Sequence, residues 1–376
     1  MSEKIDKDLD NIQRVVVKLG TKMITTGPYT LDMESIKRFA GDIKKLRDVK
    51  GIQVVIVTSG SIAAGMGRMG FHTRPKSIPQ LQALAAIGQN LLIDAYDKAF
   101  RELDIPIAQV LLTIDDIHGR KRYSNMRNAL NELISMDVVP IINENDSVGT
   151  EEVKVGDNDN LSAYVAGLVD ADLLILLTDV EGLYDMDPSH GSGKVIPLVR
   201  EITPEIEGLC GGSGDKAAVG GMRTKIEAAK HVLSAGGKML IAHGRNNSLY
   251  NLVGNSGIGT LFIPKSNGLN ARRHWIKMTA QVRGNIIVDE GAEKAIHTKN
   301  ASLLPKGITG VEGVFEIGDV VTVTGTEGKE IARGAVQYGS SNIKIIMGHH
   351  SNEIDEILGY DNGAPVIHRD DLVSGV

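Results

Sequence analysis

The side chains best suited to chemistry lie in two polar clusters between residues 140 and 163. The first cluster is NEND at residues 143–146, and the second is GDNDN at residues 156–160. Acids and amides of this kind bind a ligand, a metal ion or water more readily than they enter an apolar core. Segments rich in Asp and Asn also occur as plain solvated turns. Because an apolar run at residues 138–142 precedes them, their position favours a ligand site at the carboxyl end of a strand.

Three glycine-containing turns could bind phosphate through backbone N–H groups. KLGT at residues 18–21 and TSGS at residues 58–61 each follow a predicted strand, and GGMRTK at residues 220–225 is predicted to open a helix. Glycine lets the backbone approach an anion closely. Each turn alone is more often purely structural. Three of them in one domain, two with a lysine, favour a phosphorylated ligand.

Other cofactor motifs are absent or misplaced. The sequence contains no GxxxxGK[ST], which disfavours a P-loop fold. GMGRMG at residues 65–70 matches GxGxxG, but it begins well past the 53–58 strand and lacks the acid that a dinucleotide site needs. His349 and His350 resemble half of a metal site, without further ligands at suitable spacing. We therefore expect neither a dinucleotide site nor a protein-bound metal.

The sequence also shows no Ser/His/Asp or Cys/His arrangement that would indicate a histidine base. Phosphoryl transfer to a carboxylate needs none, because the acceptor is already ionised at pH 7. Its obstacle is charge, since two like charges about 4 Å apart cost about 4 kcal/mol at an effective dielectric constant of about 20. Lys18 and Lys225, together with Mg²⁺, are suited to offset this repulsion, with Asp159 holding the ammonium groups.

The elements that must position these residues are predicted from apolar periodicity. Five short runs rich in Val, Ile and Leu are predicted to be strands buried on both faces of a sheet: residues 14–18, 53–58, 107–112, 138–142 and 173–178. Helical patterns alternate with them at residues 35–45, 78–103, 123–135, 161–168 and 223–234. Such alternation predicts an α/β fold, a three-layer αβα sandwich with a mostly parallel central sheet.

A second, β-rich domain is predicted where the chain changes to short strand patterns separated by glycine-containing turns. The first domain is expected to span residues 10–263, a linker residues 264–276 and the second domain residues 277–372. Short strands are predicted at residues 285–288, 311–315, 319–324 and 331–337. From residue 272 onward, eleven Lys and Arg stand against fourteen Asp and Glu. The charge of this part does not indicate RNA binding.

Composition restricts the class of protein. With 376 residues, 42% hydrophobic and 23% charged, the chain is typical of a globular protein of two domains. A formal net charge of -6 gives no global reason to expect nucleic acid or an anionic membrane as a partner. Cys210 is the single cysteine, so an internal disulfide is excluded. The chain has neither a secretory signal nor a membrane-spanning run, and we expect a cytoplasmic protein.

The ordered motifs resemble a known family over nearly the full chain. KLGT, VTSGSIAAG, NENDSV, KVGDNDNLSA, LLTDVEGLY and GGMRTK resemble the glutamate 5-kinase family of the amino acid kinase superfamily. SLLPKGITGVEGVFEIGDVVTV, GHHSNEIDEILGY and VIHRDD resemble the C-terminal PUA domain of that family. The resemblance implies ATP-dependent phosphorylation of the γ-carboxylate of L-glutamate, the first step of proline biosynthesis. It also implies Mg²⁺, inhibition by proline and a homo-oligomer, either a dimer or a tetramer.

The resemblance also implies roles for individual residues. The implied catalytic residues are Lys18, Lys225 and Asp159. The implied glutamate-binding residues are Ser59, Asn143, Asp146 and Asn158. The implied ATP-binding residues are Lys18, Gly20, Thr178, Asp179, Val219, Gly220, Gly221, Met222, Arg223, Thr224 and Lys225. Where the family commonly has a threonine, this chain has Val219, so a hydroxyl contact to ATP is in question here.

Two alternative functions remain open from the sequence. The nearest is another carboxylate kinase of the superfamily, such as an acetylglutamate kinase or an aspartokinase. The other is an RNA-binding protein, suggested by the resemblance to a PUA domain and opposed by the excess of acidic residues in that part of the chain.

Overall fold

The computed structural model describes residues 9, 11–27, 29–118, 120–148, 157–186, 193–209, 216–254, 257–264, 276, 280–299, 301–359 and 365–374. The chain divides into two compact units. One comprises Met1–Ile114 with Asn125–Gly268, and the other comprises Asp115–Ser124 with Leu269–Val376. The predicted linker at residues 264–276 lies almost entirely outside the described residues, so the predicted domain bounds stay predictions.

The first unit is built on an eight-stranded sheet. The strands of this unit are β1 (Arg14–Leu19), β2 (Thr25–Thr26), β3 (Thr30–Leu31), β4 (Gln53–Thr58), β5 (Ile107–Leu112), β6 (Val139–Glu144), β7 (Leu173–Thr178), β8 (Leu198–Val199), β9 (Lys238–His243) and β10 (Thr260–Phe262). The sheet has the order β5-β6-β4-β1-β7-β9-β10-β8, and β2 pairs with β3 separately. Neighbouring strands in the large sheet are parallel except for β9 and β10. The predicted mostly parallel α/β sheet is confirmed.

Helices connect these strands, as parallel neighbours require. Those before residue 260 are α1 (Thr21–Ile24), α2 (Met33–Lys50), α3 (Ser61–Arg68), α4 (Ile78–Arg101), α5 (Ile114–His118), α6 (Arg120–Ser135), α7 (Asp157–Leu168), α8 (Pro204–Gly208), α9 (Lys216–Ser234) and α10 (Leu249–Leu252). The central strands are buried along almost their whole length, which is typical of a sheet covered on both faces. Apolar side chains of these strands and helices form the core of the unit.

Strand register brings the predicted site residues to one edge of the sheet. Lys18 lies beside Val57 and Leu176, and Val57 lies beside Ile142. The strands β1, β4, β6 and β7 therefore end at about the same level. Because they are parallel, the residues that follow their carboxyl ends meet at a single edge.

Glycines allow α3 and α4 to pack with their backbones close together. A Cβ atom added to Gly88 in α4 would lie 1.7 Å from the carbonyl oxygen of Ser61. One added to Gly65 in α3 would lie 2.0 Å from the carbonyl oxygen of Leu84. This contact fixes α3, which begins directly after Gly60, a residue with a φ of 100° that favours glycine.

Several predicted elements differ from the structure. The strand at 107–112 was expected to be buried on both faces, but β5 is an edge strand with Gln109 exposed. The strand predicted to end at residue 142 extends to Glu144, so Asn143 belongs to the strand. The helix predicted from residue 161 begins at Asp157, which places most of the second polar cluster in its first turn. The glycines of GGMRTK do not open a helix, because α9 begins at Lys216. The strands β8, β9 and β10 were not predicted.

The second unit contains a five-stranded sheet, confirming a β-rich second domain. Its strands are β11 (Val282–Val288), β12 (Ile308–Gly313), β13 (Val320–Thr324), β14 (Glu330–Ala335) and β15 (Leu372–Ser374), in the order β12-β11-β13-β14-β15. Its helices include α11 (Glu290–Lys299), α12 (Ser340–Ile346) and α13 (Ile354–Leu358), with 3₁₀ turns at Pro305–Gly307, Ser351–Glu353 and Arg369–Asp371. A separate apolar core around Ile286, Val323 and Tyr338 stabilises it.

Within the described ranges, none of the helices combines the length and apolarity needed to cross a lipid bilayer.

Candidate active site

Three predicted catalytic residues meet in a buried ionic cluster. The Nζ of Lys18, near the end of β1, lies 2.7 Å from Oδ1 of Asp159, in the first turn of α7. The Nζ of Lys225, on α9, lies 3.0 Å from Oδ2 of the same carboxylate. Only 8% of each lysine and 1% of Asp159 are exposed. Residues from three elements far apart in the sequence thus form one cluster, called here the Lys–Asp–Lys cluster.

The Lys–Asp–Lys cluster has an uneven charge. With both lysines protonated, two ammonium groups share one carboxylate, so a positive charge is left over. Burial lowers the pKa of Lys18 from its ordinary value, and Asp159 opposes part of this shift. Burial alone would raise the pKa of Asp159, but Lys18 and Lys225 hold it below its ordinary value. Asp159 is therefore ionised at neutral pH, and the cluster is suited to receive a further anion.

Asp159 has a third partner in Thr224. The hydroxyl of Thr224 donates to Oδ2 of Asp159 at 2.9 Å, and the carbonyl oxygen of Gly221 lies 3.1 Å from the same hydroxyl. The ammonium of Lys225 also donates to this carbonyl at 3.1 Å. Thr224 and Lys225 are consecutive in α9, so one turn of helix orients both groups toward Asp159. The resemblance implied only an ATP contact for Thr224.

A chain of side-chain amides lies at the same edge of the sheet. The Nδ2 of Asn158 lies 2.8 Å from Oγ of Ser59, 2.8 Å from the carbonyl oxygen of Thr58 and 3.1 Å from Oδ1 of Asn143. Asn143 in turn donates through Nδ2 to Oε1 of Gln89 at 2.7 Å. Three predicted glutamate-binding residues are thereby brought together. The fourth, Asp146, accepts a contact of 3.4 Å from Oγ of Ser61, at the start of α3.

Buried groups beneath Ser59 hold the end of β4. The hydroxyl of Thr58, which is fully buried, lies 2.9 Å from the hydroxyl of Tyr96 on α4. Burial raises the pKa of Tyr96 well above its ordinary value, which keeps this phenol protonated. The hydrogen bond between these two buried hydroxyls therefore fixes the start of the turn that contains Ser59.

The predicted nucleotide-binding residues around β1 and β7 are also neighbours. A Cβ atom added to Gly20 would lie 3.5 Å from Nζ of Lys18, so glycine keeps space open beside this ammonium. Thr178 is the last residue of β7 and Asp179 follows it. Asp179 forms an ion pair of 2.6 Å with Lys22. Burial raises the pKa of Asp179, but hydrogen bonding and charge from Lys22 leave it below its ordinary value.

The predicted segment at residues 219–225 lies within α9. Met222 is half-buried, whereas Arg223 is exposed and lies 3.4 Å from Glu227 one turn away. The side chain of Val219 lies outside the described part of the structure. Gly220 and Gly221 lie within α9, and a Cβ atom added to Gly221 would have nothing within 4 Å.

Two further residues at this edge of the sheet are not indicated by any sequence motif. Gln89 lies in the middle of α4, where amphipathic spacing alone predicts a surface residue. Arg245 follows β9, which was not predicted, and its Nη2 donates to the carbonyl oxygens of Lys22 and Thr25 at 2.8 Å. It fixes the backbone of α1 after the Lys18 turn. The one sequence feature that could have indicated Gln89 is its position next to Gly88, which packs closely against α3.

The described residues include no group of three His, Cys, Asp or Glu side chains that could hold a metal ion. The carboxylate best placed for it, Asp159, is already neutralised by two lysines. Among the described residues, the ammonium groups of Lys18 and Lys225 are therefore the groups that this edge of the sheet offers to an anion.

A mostly parallel α/β sheet with a buried cationic cluster at its carboxyl edge is an arrangement suited to binding a phosphorylated ligand. A model of the amino acid kinase family matches residues 13–243, and a PUA domain model matches residues 284–358. The chain belongs to the amino acid kinase family and, within it, to the glutamate 5-kinases with a C-terminal PUA domain. The resemblance seen in the sequence is confirmed.

Curated relatives match over almost the whole chain. The glutamate 5-kinase of Trichlorobacter lovleyi is 47% identical over 367 residues, covering 97% of each chain. That of Caldanaerobacter subterraneus subsp. tengcongensis is 47% identical over 362 residues, covering 96% of this chain and 97% of the relative. Among solved structures, carbamate kinase from Giardia lamblia bound to AMP-PNP superposes with a TM-score of 0.50 at 18% identity. The match covers 68% of this chain and 99% of the carbamate kinase chain, and it supports only the fold.

Proposed function

We propose that the enzyme transfers the γ-phosphoryl group of ATP to the γ-carboxylate of L-glutamate, producing ADP and L-glutamyl 5-phosphate. A carboxylate oxygen forms the new bond to phosphorus, and the bond from phosphorus to the β–γ bridging oxygen breaks. The names of the relatives support the choice of glutamate. This reaction would be the first step of proline biosynthesis.

The Lys–Asp–Lys cluster is the single observation that carries the proposal. Two buried ammonium groups share one carboxylate, so the cluster attracts a further anion. In phosphoryl transfer, the negative charge of the transferred group must be stabilised against an anionic acceptor. Lys18 would contact the transferred phosphoryl group and Lys225 would stabilise it as it moves. Asp159 would keep both ammonium groups oriented before the substrates arrive.

The acceptor needs no general base. The γ-carboxylate of glutamate, with an ordinary pKa of about 4.3, is already ionised at neutral pH. The protein has instead to overcome repulsion between this carboxylate and the triphosphate, about 4 kcal/mol per pair of charges at about 4 Å. Preorganised lysines do this without reorganising during the reaction, because their partners already fix them.

The amide chain is the proposed glutamate site. Nδ2 of Asn158 lies within hydrogen-bonding distance of both Ser59 and Asn143. Asn158 directly precedes Asp159 of the Lys–Asp–Lys cluster in the chain. Asp146 would add a negative charge that favours the ammonium group of an amino acid. Hydroxyl, amide and carboxylate groups of this set can satisfy both charged ends of glutamate.

ATP is proposed to bind along Gly20, Thr178 and Asp179 and the segment at residues 219–225. Gly20 leaves room beside Lys18. A Cβ atom added to Gly221, whose carbonyl oxygen accepts from Lys225, would have nothing within 4 Å. Mg²⁺ would enter with the nucleotide and neutralise phosphate oxygens, held by the nucleotide and water. The described residues supply no three-residue metal site, so we assign no step to the ion.

The test is glutamate-dependent ADP release with hydroxylamine trapping of the acyl phosphate. L-Glutamate should give both ADP and a hydroxamate, and omission of glutamate should abolish both. N-Acetylglutamate and L-aspartate are the comparison substrates for the two superfamily alternatives. A higher kcat/KM with either of them than with glutamate would overturn the assignment.

Further properties follow from the family resemblance. We propose that proline inhibits at or overlapping the amino acid site, that the enzyme is a dimer or tetramer, and that it works in the cytoplasm. Proline carries an ammonium and a carboxylate like those of glutamate, so it should raise the glutamate KM. Light scattering coupled to size exclusion measures the oligomer, and a monomer with full activity would contradict that part.

A further inference from the structure

Gln89 begins the chain of amides that reaches the proposed glutamate site. Its Oε1 accepts from Nδ2 of Asn143 at 2.7 Å, and Oδ1 of Asn143 faces Nδ2 of Asn158 at 3.1 Å. Asn143 is only 1% exposed, so water cannot readily replace either contact. Gln89 itself is half-buried in the middle of α4, next to Gly88.

The chain of amides has a fixed direction. A side-chain amide accepts only through oxygen and donates only through nitrogen. The backbone carbonyl oxygen of Thr58 can only accept, so Asn158 must turn its nitrogen toward it. Oδ1 of Asn143 then faces this nitrogen, and Nδ2 of Asn143 donates to Oε1 of Gln89. Asn158 then presents its nitrogen to Asn143, to Ser59 and to the carbonyl oxygen of Thr58. Only the oxygen of Asn158 is left to face elsewhere.

That oxygen, Oδ1 of Asn158, is a buried acceptor, and no described residue donates to it. Buried polar atoms in native proteins almost always have a partner, and an unsatisfied one needs an explanation. The position of Asn158 beside Ser59 and next to Asp159 supplies one. A ligand that brings an N–H donor would satisfy this oxygen.

We propose that Gln89 is a positioning residue that makes the site select amino acids with a free ammonium group. It does so by holding Asn143, and through it Asn158, with Oδ1 of Asn158 directed to the substrate nitrogen. This inference rests on the proposed function, since it takes the amide chain to be the glutamate site. An ammonium group offers three donors and a charge, whereas an acylated nitrogen offers one donor and no charge.

Specificity of this kind has a physical basis. A site built to hydrogen-bond a substrate group rejects an analogue that lacks it, because its own buried polar atom then stays unpaired. Glutarate is glutamate without its ammonium group, so it is the direct probe. Wild-type enzyme should prefer glutamate over glutarate by about tenfold or more.

Two substitutions separate positioning from packing. Gln89→Met keeps the shape of the side chain but removes the oxygen that accepts from Asn143. Gln89→Glu keeps an oxygen at this position and should retain the direction of the chain. Asn90→Leu, which removes an exposed amide one residue further along α4, is the matched control.

The readouts are the KM for glutamate, kcat, the KM for ATP and the preference for glutamate over glutarate. We expect Gln89→Met to raise the glutamate KM about tenfold and to reduce the preference, with kcat and the ATP KM within about threefold. Gln89→Glu and Asn90→Leu should stay near wild type. If Gln89→Met only lowers stability or kcat and keeps both the glutamate KM and the preference, the positioning role is wrong.

A binding measurement separates this inference from the proposed function. Glutamate should raise the melting temperature of the wild-type protein more than glutarate does, and Gln89→Met should lose this difference. If that pattern holds without any glutamate-dependent ADP release, the inference stands and the proposed reaction fails. If turnover is present but Gln89→Met keeps the wild-type difference, the reaction stands and the inference is overturned.

Discussion

At the scale of single residues, Asp159 is the centre of the site. Its carboxylate forms an ion pair of 2.7 Å with Lys18 and accepts hydrogen bonds from Lys225 and Thr224 at 3.0 and 2.9 Å. A buried carboxylate with three partners is costly to assemble and rigid once assembled. The rigidity is useful for catalysis, because ammonium groups that are already oriented stabilise charge without further movement.

Substitution of the two lysines and substitution of Asp146 are predicted to change different kinetic constants. Lys18→Ala and Lys225→Ala should lower kcat by about 10²–10³, because each removes stabilisation of the transferred group. Asp146→Ala should instead raise the glutamate KM by about tenfold with little change in kcat. Steady-state kinetics with each substrate varied separate the two outcomes.

An exposed ion pair provides the control for these substitutions. Lys37 lies 2.7 Å from Glu102 on the surface, and Lys37→Ala should leave both kcat and KM unchanged. Near-normal turnover in Lys225→Ala would show that its proposed role is wrong. A lower kcat with an unchanged glutamate KM in Asp146→Ala would contradict the role given to Asp146.

Asp159→Asn is predicted to lower stability in a way that depends on pH. Removing one partner of a buried ion pair costs about 3–5 kcal/mol, because the lysines lose their counter-charge. The folded state lowers the pKa of Asp159, so its contribution is complete above the unfolded value of about 3.9. That contribution is lost as the pH falls through the lower folded value.

Urea unfolding at several pH values measures this difference. The gap in the free energy of unfolding between wild type and Asp159→Asn should be constant from about pH 7 to about pH 5 and should shrink below about pH 4. The amide of the variant cannot titrate, so the gap shrinks because the wild type loses the contribution of the ionised Asp159 in acid. A gap that stays the same down to about pH 2 would contradict the assignment of this stability to the ionised carboxylate.

At the scale of elements, the contact between α3 and α4 links the core to the site. Gly88 lets the two helices approach, Ser61 begins α3, and Gln89 follows Gly88. A small displacement of α4 would therefore change the position of Gln89 and of the turn that carries Ser59. Packing between two helices thus decides the geometry of the proposed amino acid site.

Gly88→Ala is predicted to lower both stability and activity. Its Cβ atom would meet the carbonyl oxygen of Ser61 at 1.7 Å and the nitrogen of Gly65 at 2.4 Å, so the helices must separate. We expect a loss of at least about 2 kcal/mol in the free energy of unfolding and a higher glutamate KM. Chemical denaturation and steady-state kinetics measure the two effects.

Gly41→Ala in α2 is the matched control, because its Cβ atom would have nothing within 4 Å. It should raise the free energy of unfolding by up to about 1 kcal/mol, since alanine favours a helix over glycine, and should leave the KM unchanged. If Gly88→Ala were as stable as Gly41→Ala, the close contact between α3 and α4 would not exist in solution.

At the scale of the whole molecule, each of the two units has its own apolar core. The first core is formed around the parallel sheet, and the second around Ile286, Val323 and Tyr338. All the predicted catalytic and binding residues belong to the first unit. Stability of the second unit and chemistry of the first can therefore be tested separately.

Ile286→Ala is predicted to destabilise the second unit without changing substrate affinity. Ile286 is fully buried, and truncation of such a side chain costs about 2–5 kcal/mol. The glutamate KM should stay within about twofold of wild type at a temperature where the variant is folded. Ile56→Ala, at an equally buried position in β4, should lower stability and also raise this KM, because β4 carries Ser59. A raised KM in Ile286→Ala would show that the second unit contributes to the site.

The sequence by itself determined five strands of the first unit, β1, β4, β5, β6 and β7, together with the class of the fold and the motifs of the site. Runs such as VVIVT in β4 and LLILLT in β7 are apolar without interruption, and a short run of this kind fits a strand covered on both faces. The order of the motifs along the chain is enough to identify the family. The strands, the fold class and the family depend on local composition and on the order of motifs along the chain. They can therefore be predicted without knowing which strands are neighbours.

Only the tertiary structure decided which side chains touch. Lys225 and Asp159 are separated by 66 positions, and their contact depends on how α7 and α9 pack, which no local pattern encodes. Periodicity does not report strand order, so the prediction that β5 is buried on both faces missed its position at the edge of the sheet. The sequence likewise assigns no role to Gln89. The direction of the Gln89–Asn143–Asn158 chain depends on hydrogen-bond partners from three separate elements, and these partners exist only in the folded chain.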